Sequence, residues 1–202
     1  LTGSGKSTSL YAILRELNQP DVHIITIEDP VEYRMPKIRQ IQLNVKAGMT
    51  FASGLRAILR QDPDIIMVGE IRDSETVRIA TQAALTGHLV LSTVHTNDAA
   101  GAITRMIDMG IEPFLVSSVL LVSFAQRLVR KVCPHCAVDV EPRQQDREFW
   151  GIPENKTCVF KKAVGCVRCQ NSGYQGRTGI FEVLKVDDMV RELIARRATT
   201  LE

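Results

Sequence analysis

A glycine-rich stretch that runs straight into an apolar helical pattern constrains this chain more than any other feature. Gly3, Ser4, Gly5, Lys6, Ser7 and Thr8 are followed at once by Ser9, Leu10, Tyr11, Ala12, Ile13 and Leu14. Two glycines let a backbone curl so that its N–H groups face phosphate oxygens. In such a loop Lys6 reaches the β- and γ-phosphates and the Ser7 hydroxyl binds Mg²⁺. The helix that follows adds an anion-favouring N-terminus. Thr2, Gly3, Ser4, Gly5, Lys6, Ser7 and Thr8 are therefore the candidate nucleotide-binding residues. The full pattern, G-x-x-x-x-G-K-[ST], asks for another glycine five positions before Gly5, ahead of Leu1. The sequence is thus expected to be a fragment. A chance Gly/Ser-rich turn would leave the helix unexplained.

Length and composition set wider bounds. The 202 residues suit one domain, or one with a small appendage. A chain this long buries about 70% of its unfolded surface, enough for a core. The 45% hydrophobic and 24% charged content is that of an ordinary soluble globular protein. A net charge of +2 says little about partners. No Lys/Arg-rich run argues for nucleic acid. Phe114 to Phe124, the most apolar stretch, is too short for a bilayer and holds Ser117, Ser118 and Ser123. It reads as a buried helix rather than a transmembrane segment; no secretory signal is visible, and a fragment leaves a lost one open.

The first two-thirds of the chain alternate strand and helix signals. His23 to Ile27 is a β-branched run that fits a buried strand, and Ile38 to Val45 alternates as a half-exposed one. Phe51 to Arg60 reads as a helix capped by Thr50. Ile65 to Val68 is another strand, and Asp73 to Leu85 a helix ended by Gly87. A strand over Leu89 to Val94 precedes helices at Asp98 to Met109 and Pro113 to Phe124. The alternation implies a mainly parallel sheet covered by helices. Composition shifts near Cys133 toward cysteine, proline and glycine, as in a metal-organised insertion. Gly179 to Val186 then reads as a strand and Asp187 to Arg197 as a closing helix. The expected organisation is a core over residues 1–132, a metal-binding subdomain over 133–175, and a terminal strand and helix over 176–202.

Two carboxylates fall where a parallel sheet presents its ligands, beyond the C-terminal ends of strands. Glu28, with Asp29, follows the first strand, and Glu70 follows Ile65 to Val68 and Gly69. One suits the water shell of Mg²⁺ and the other the attacking water; the residues alone leave open which does which. Each alone could be a solvated strand end. His95 follows the end of the third strand, where it could sense a γ-phosphate or signal to a neighbouring subunit. His88 reads as structural and His135 as a spacer. Arg39, Arg56, Arg60 and Arg72 are arginine-finger candidates that spacing does not separate from surface ion pairs.

Cys133 and Cys136 form one C-x-x-C pair, Cys166 and Cys169 another. Two such pairs supply four thiolates for a structural Zn²⁺ and leave no open position for catalysis. A single pair would suit redox chemistry; two point to metal and to a reducing cytoplasm. Cys158 reads as a small buried hydrophobe.

Five motifs in fixed order resemble those of the secretion and pilus-assembly ATPases, which power type II secretion and type IV pilus extension. Leu1 to Thr8 resembles the end of that family's Walker A motif. Thr26 to Tyr33 (T-I-E-D-P-V-E-Y) resembles its acidic box. Leu59 to Asp73 (L-R-Q-D-P-D-I-I-M-V-G-E-I-R-D) resembles its Walker B region, and Leu85 to Asn97 (L-T-G-H-L-V-L-S-T-V-H-T-N) its histidine box. The four cysteines, with Gly176 to Glu182 after them, match its zinc subdomain and the following segment. The resemblance implies a RecA-like P-loop fold, Mg²⁺-dependent ATP hydrolysis, Glu28 as the catalytic carboxylate and Glu70 as the Mg²⁺-linked one. It implies a cytoplasmic homohexamer, peripheral at the inner membrane on the platform proteins of a secretion or pilus machine. It further implies arginines supplied by an N-terminal domain outside this sequence, so these residues alone should hydrolyse ATP poorly. A pilus-retraction role is disfavoured because such relatives typically lack the cysteines. Outside this class stand a nucleic-acid-translocating P-loop motor and a zinc scaffold without turnover; Lys6, Glu28 and Glu70 argue against the scaffold.

Overall fold

The computed structural model describes residues 3–200. These fall into two compact units, one running to Gln126 and resuming at Phe181, the other Arg127–Ile180.

The first unit is built on a four-stranded parallel sheet. Helix α1 (Lys6–Leu17) leads into β1 (Ile24–Glu28) and the short β2 (Arg39–Gln42). Helix α2 (Phe51–Ile58) precedes β3 (Ile65–Val68), and α3 (Ser74–Leu85) precedes β4 (Leu89–Ser92). The spatial order β2-β1-β3-β4 puts the first strand inside the sheet. Ile27 pairs with Ile41 on one side and Val68 on the other.

Side chains alternate between the faces of β1 and β3, and each face has its own apolar layer. Ile25, Ile27, Ile66 and Val68 join Leu55, Ile58, Val77 and Val116. Ile24, Ile65 and Met67 join Leu10, Tyr11 and Leu14 of α1. With both faces covered, the strands carry the near-continuous aliphatic runs of a buried parallel sheet. At Gly54 a Cβ would stand 2.1 Å from Ile27 Cδ1, so the small residue sets how closely α2 lies on β1.

Caps fix the helix starts. Thr50 and Ser53 form a reciprocal capping box on α2, and the Asp73 carboxylate accepts from Thr76 N–H at 2.8 Å to start α3. Helix α4 (Gly101–Asp108) and α5 (Pro113–Val119) follow. The closing α7 (Asp188–Ala195) contributes Ile194 to the same layer as Val116.

The single buried helix expected over Phe114 to Phe124 is not what forms. The chain leaves α5 at Leu120 in extended conformation (φ −76°, ψ 120°), and β5 begins at Val122 (Val122–Val132). Phe114 and Leu121 are exposed. Pairing of β5 with β8 (Tyr174–Lys185) takes the end of the run, Val122 to Phe124, into a strand. Strand β8 also starts earlier than the expected Gly179. In the second unit β6 (Val138–Val140) and β7 (Phe160–Lys162) pair antiparallel, with α6 (Gln144–Phe149) in the connection between them.

Candidate active site and metal centre

The loop enters α1 through Gly5, whose left-handed backbone (φ 87°, ψ 14°) is the N-cap. A side chain there would be strained, and no side chain caps the first turn. A helix start entered in this way, without a side-chain cap among the described residues, is the local geometry that suits an anion such as phosphate. Ser7 and Thr8 are exposed and Ser4 is buried. Ser9 Oγ donates to Gln126 Oε1 at 2.8 Å, tying the first turn of α1 to β5. Thr2 lies outside the described residues.

Glu28 is the last residue of β1, not the first beyond it, and is only 4% exposed. Its carboxylate is enclosed by neutral donors. Thr26 Oγ1 donates to Oε1 at 2.5 Å, Gln40 Nε2 to Oε1 at 3.2 Å, and the Tyr11 hydroxyl of α1 to Oε2. Burial, reinforced by the bond to Glu28, pushes the Tyr11 hydroxyl up to about 12. Tyr11 Oη also accepts from Glu32 N–H at 3.1 Å.

Glu70 lies two residues past the end of β3, and Gly69 N–H donates to Ile27 O at 2.8 Å. A Cβ at Gly69 would sit 3.4 Å from Glu28 Cα, so the two acidic residues end adjacent strands with a glycine between them. Glu70 Oε2 is 3.1 Å from His95 Nε2, and its Oε1 pairs with the Arg72 guanidinium. Thr93 Oγ1 donates to Gly69 O at 2.8 Å, holding the ends of β3 and β4 together. His95 therefore meets Glu70. His88 instead holds the end of α3, with Nδ1 2.9 Å from Ala83 O. Among the arginine-finger candidates, Arg56 pairs with Glu75 at 2.5 Å on the surface, Arg72 lies on Glu70, and Arg39 and Arg60 are exposed.

In the second unit the sulfurs of Cys133, Cys136, Cys166 and Cys169 all lie within 4.8 Å of one another. Cys136 Sγ and Cys166 Sγ are each 3.8 Å from Cys169 Sγ. A tetrahedron with metal–sulfur bonds of about 2.3 Å has edges of about 3.8 Å, so the spacing fits a tetrahedral thiophilic ion. Backbone N–H groups aim at the sulfurs: Gly165 to Cys136 at 3.3 Å, and Cys166 and Gly173 to Cys169 at 3.2 and 3.3 Å. Gly165 has φ 117°, and a Cβ there would lie 2.8 Å from Asn171 O, so only glycine makes this turn. Burial pushes the Cys136 thiol up to about 11. Burial acts the same way on Cys169, but those two N–H donors and the neighbouring thiols outweigh it and bring it down to about 6. His135 stands apart from the four sulfurs, against Arg168 Nη1 at 3.0 Å. Cys158, expected buried, is half-buried.

The family model described as "Type II/IV secretion system protein" matches residues 1–202. The chain belongs to this family. It is 56% identical over 197 residues to the type II secretion system ATPase E of Vibrio cholerae, covering 98% of this chain and 39% of the relative. It is 54% identical over 203 residues to the type IV pilus assembly ATPase PilB of Thermus thermophilus, covering 100% of this chain and 23% of the relative. A crystal structure of the pilus retraction motor PilT with bound ADP superposes with a TM-score of 0.69 at 34% identity, covering 97% of this chain and 48% of that one. The Legionella pneumophila ATPase DotB gives 0.64 at 28% identity, covering 95% and 45%. The chain thus spans between about a quarter and two-fifths of these curated relatives.

In this secretion-family chain the sequence reading missed the enclosure of Glu28. Tyr11 sits on the apolar face of α1 beside Leu10 and Leu14, where a tyrosine reads as core. Gln40 lies buried in β2 between Arg39 and Ile41, a burial set by the sheet and not written in the residue pattern.

Proposed function

We propose that this chain is the nucleotide-hydrolysing core of an ATPase that drives a type II secretion or type IV pilus-assembly machine. The observation that carries the reading is α1 entered through left-handed Gly5, beside a parallel sheet whose adjacent strands place Glu28 and Glu70 at their C-terminal side. The names of the relatives, and the ADP bound to PilT, support the same assignment.

In this reading the N–H groups from Gly3 to Thr8 cradle the phosphates and Lys6 neutralises their charge. Ser7 and Glu70 would hold Mg²⁺, which would supply charge neutralisation at the phosphates. Glu28 directs the attacking water. His95, set against Glu70, relays the state of the γ-phosphate side of the site. Cys133, Cys136, Cys166 and Cys169 hold a structural Zn²⁺ that fixes the second unit. The protein works as a cytoplasmic homohexamer on an inner-membrane platform, and arginines from outside this chain complete the site. No helix among the described residues is long and apolar enough to cross a membrane.

Lys6→Ala in the full-length protein tests the reading. Loss of one fixed charge stabiliser lowers the hydrolysis rate about 10²–10³-fold. Near-normal turnover would overturn the loop assignment.

A further inference from the structure

Tyr11 joins three parts of the molecule at one hydroxyl. It lies five residues after Lys6, on the helix that the phosphate loop begins. Its Oη donates to Glu28 Oε2 and accepts from Glu32 N–H at 3.1 Å. Its ring packs against Tyr33 with centroids 4.4 Å apart and planes tilted by 58°. The other oxygen of Glu28 belongs to the sheet, through Thr26 and Gln40. Gln40 also holds the segment after β1, donating to Tyr33 O at 3.1 Å and accepting from Met35 N–H at 2.7 Å.

The two oxygens of Glu28 therefore answer to different elements, Oε1 to the sheet and Oε2 to α1. A buried tyrosine does need a partner for its hydroxyl, and any nearby acceptor would satisfy it. Here the acceptor is a carboxylate at the C-terminal end of a parallel strand, where such sheets place their chemistry. A displacement of α1 transmitted from the loop would move the Tyr11 donor on Oε2 and leave Thr26 and Gln40 on Oε1.

We infer that Tyr11 is a positioning residue for hydrolysis, coupling the phosphate-loop helix to the orientation of the Glu28 carboxylate. The inference rests on the ATPase reading given above.

The test is Tyr11→Phe in the full-length protein, which keeps the ring and its packing on Tyr33. Wild-type hydrolysis of Mg²⁺–ATP is measured first; its absence overturns the ATPase reading itself. With wild-type turnover present, Tyr11→Phe should lower kcat about ten- to a hundredfold, the size of one hydrogen bond to a charged group expressed as a rate. KM for ATP and the Kd of a fluorescent ADP analogue should stay within about twofold. In a Glu28→Gln background the same change should lower kcat no further, since residues acting through one another are non-additive. An unchanged kcat, a loss that adds fully to that of Glu28→Gln, or a variant that neither folds nor binds nucleotide would each overturn the inference while leaving the ATPase reading standing.

Discussion

At the scale of single residues, the two carboxylates stand in different surroundings, and their amide variants should fail differently. Glu28 is enclosed by neutral donors, whereas Glu70 pairs with Arg72 and His95. Glu28→Gln should bind Mg²⁺–ATP about normally and turn over very slowly. Glu70→Gln should need more Mg²⁺ to reach its maximal rate. Superimposable Mg²⁺ titrations for the two would refute this division of roles. Tyr11 makes a separate, alkaline prediction. Its hydroxyl ionises near 10.0 in an unfolded chain and at about 12 in the fold, so the neutral form is favoured by folding. That contribution is complete below pH 10 and is lost as pH rises toward 12. Denaturant midpoints measured across this window should fall more steeply for the wild type than for Tyr11→Phe, and parallel curves would count against it.

At the scale of elements, the strands over Ile24–Glu28 and Ile65–Val68 were legible because each is a short, mostly apolar and β-branched run. Thr50 announced its helix by capping chemistry, whereas Asp73, expected as the first helical residue, turns out to be the N-cap of α3. Phe114 to Phe124 misled because periodicity does not separate a short apolar helix from a strand, and β8, the partner that settles it, is about fifty residues downstream. The acidic positions of the site were visible as strand ends. Their partners were not, since Tyr11 and Gln40 reach Glu28 only through the packing of α1 and the register of β2. Cysteine spacing announced the four-sulfur cluster, and here the expected outcome is one Zn²⁺ per chain. Structural zinc contributes apparent binding energies of about 10–16 kcal/mol at neutral pH. Chelation should therefore raise hydrogen exchange across residues 133 to 169 while α1 stays protected. Metal analysis finding no zinc in reduced, freshly purified protein would remove the assignment.

At the scale of the whole molecule, an arginine finger supplied from elsewhere can be worth about 10³–10⁵ in rate. In the full-length protein, specific activity should climb with protein concentration as rings assemble. Residues 1–202 alone should be monomeric by light scattering and nearly inactive. A monomer of these residues that matched the full-length specific activity would show the ring to be dispensable. The strand order has a consequence during biosynthesis. Strand β1 lies inside the sheet, yet it is made before both its neighbours, β2 and β3. Until Val68 has left the ribosome, Ile24-Ile25-Thr26-Ile27 is an aliphatic, β-branched, proline-free segment with at least one unpaired edge, the kind that joins other chains. The central placement that shields this strand in the finished fold leaves it exposed during synthesis, a segment on which a chaperone would act.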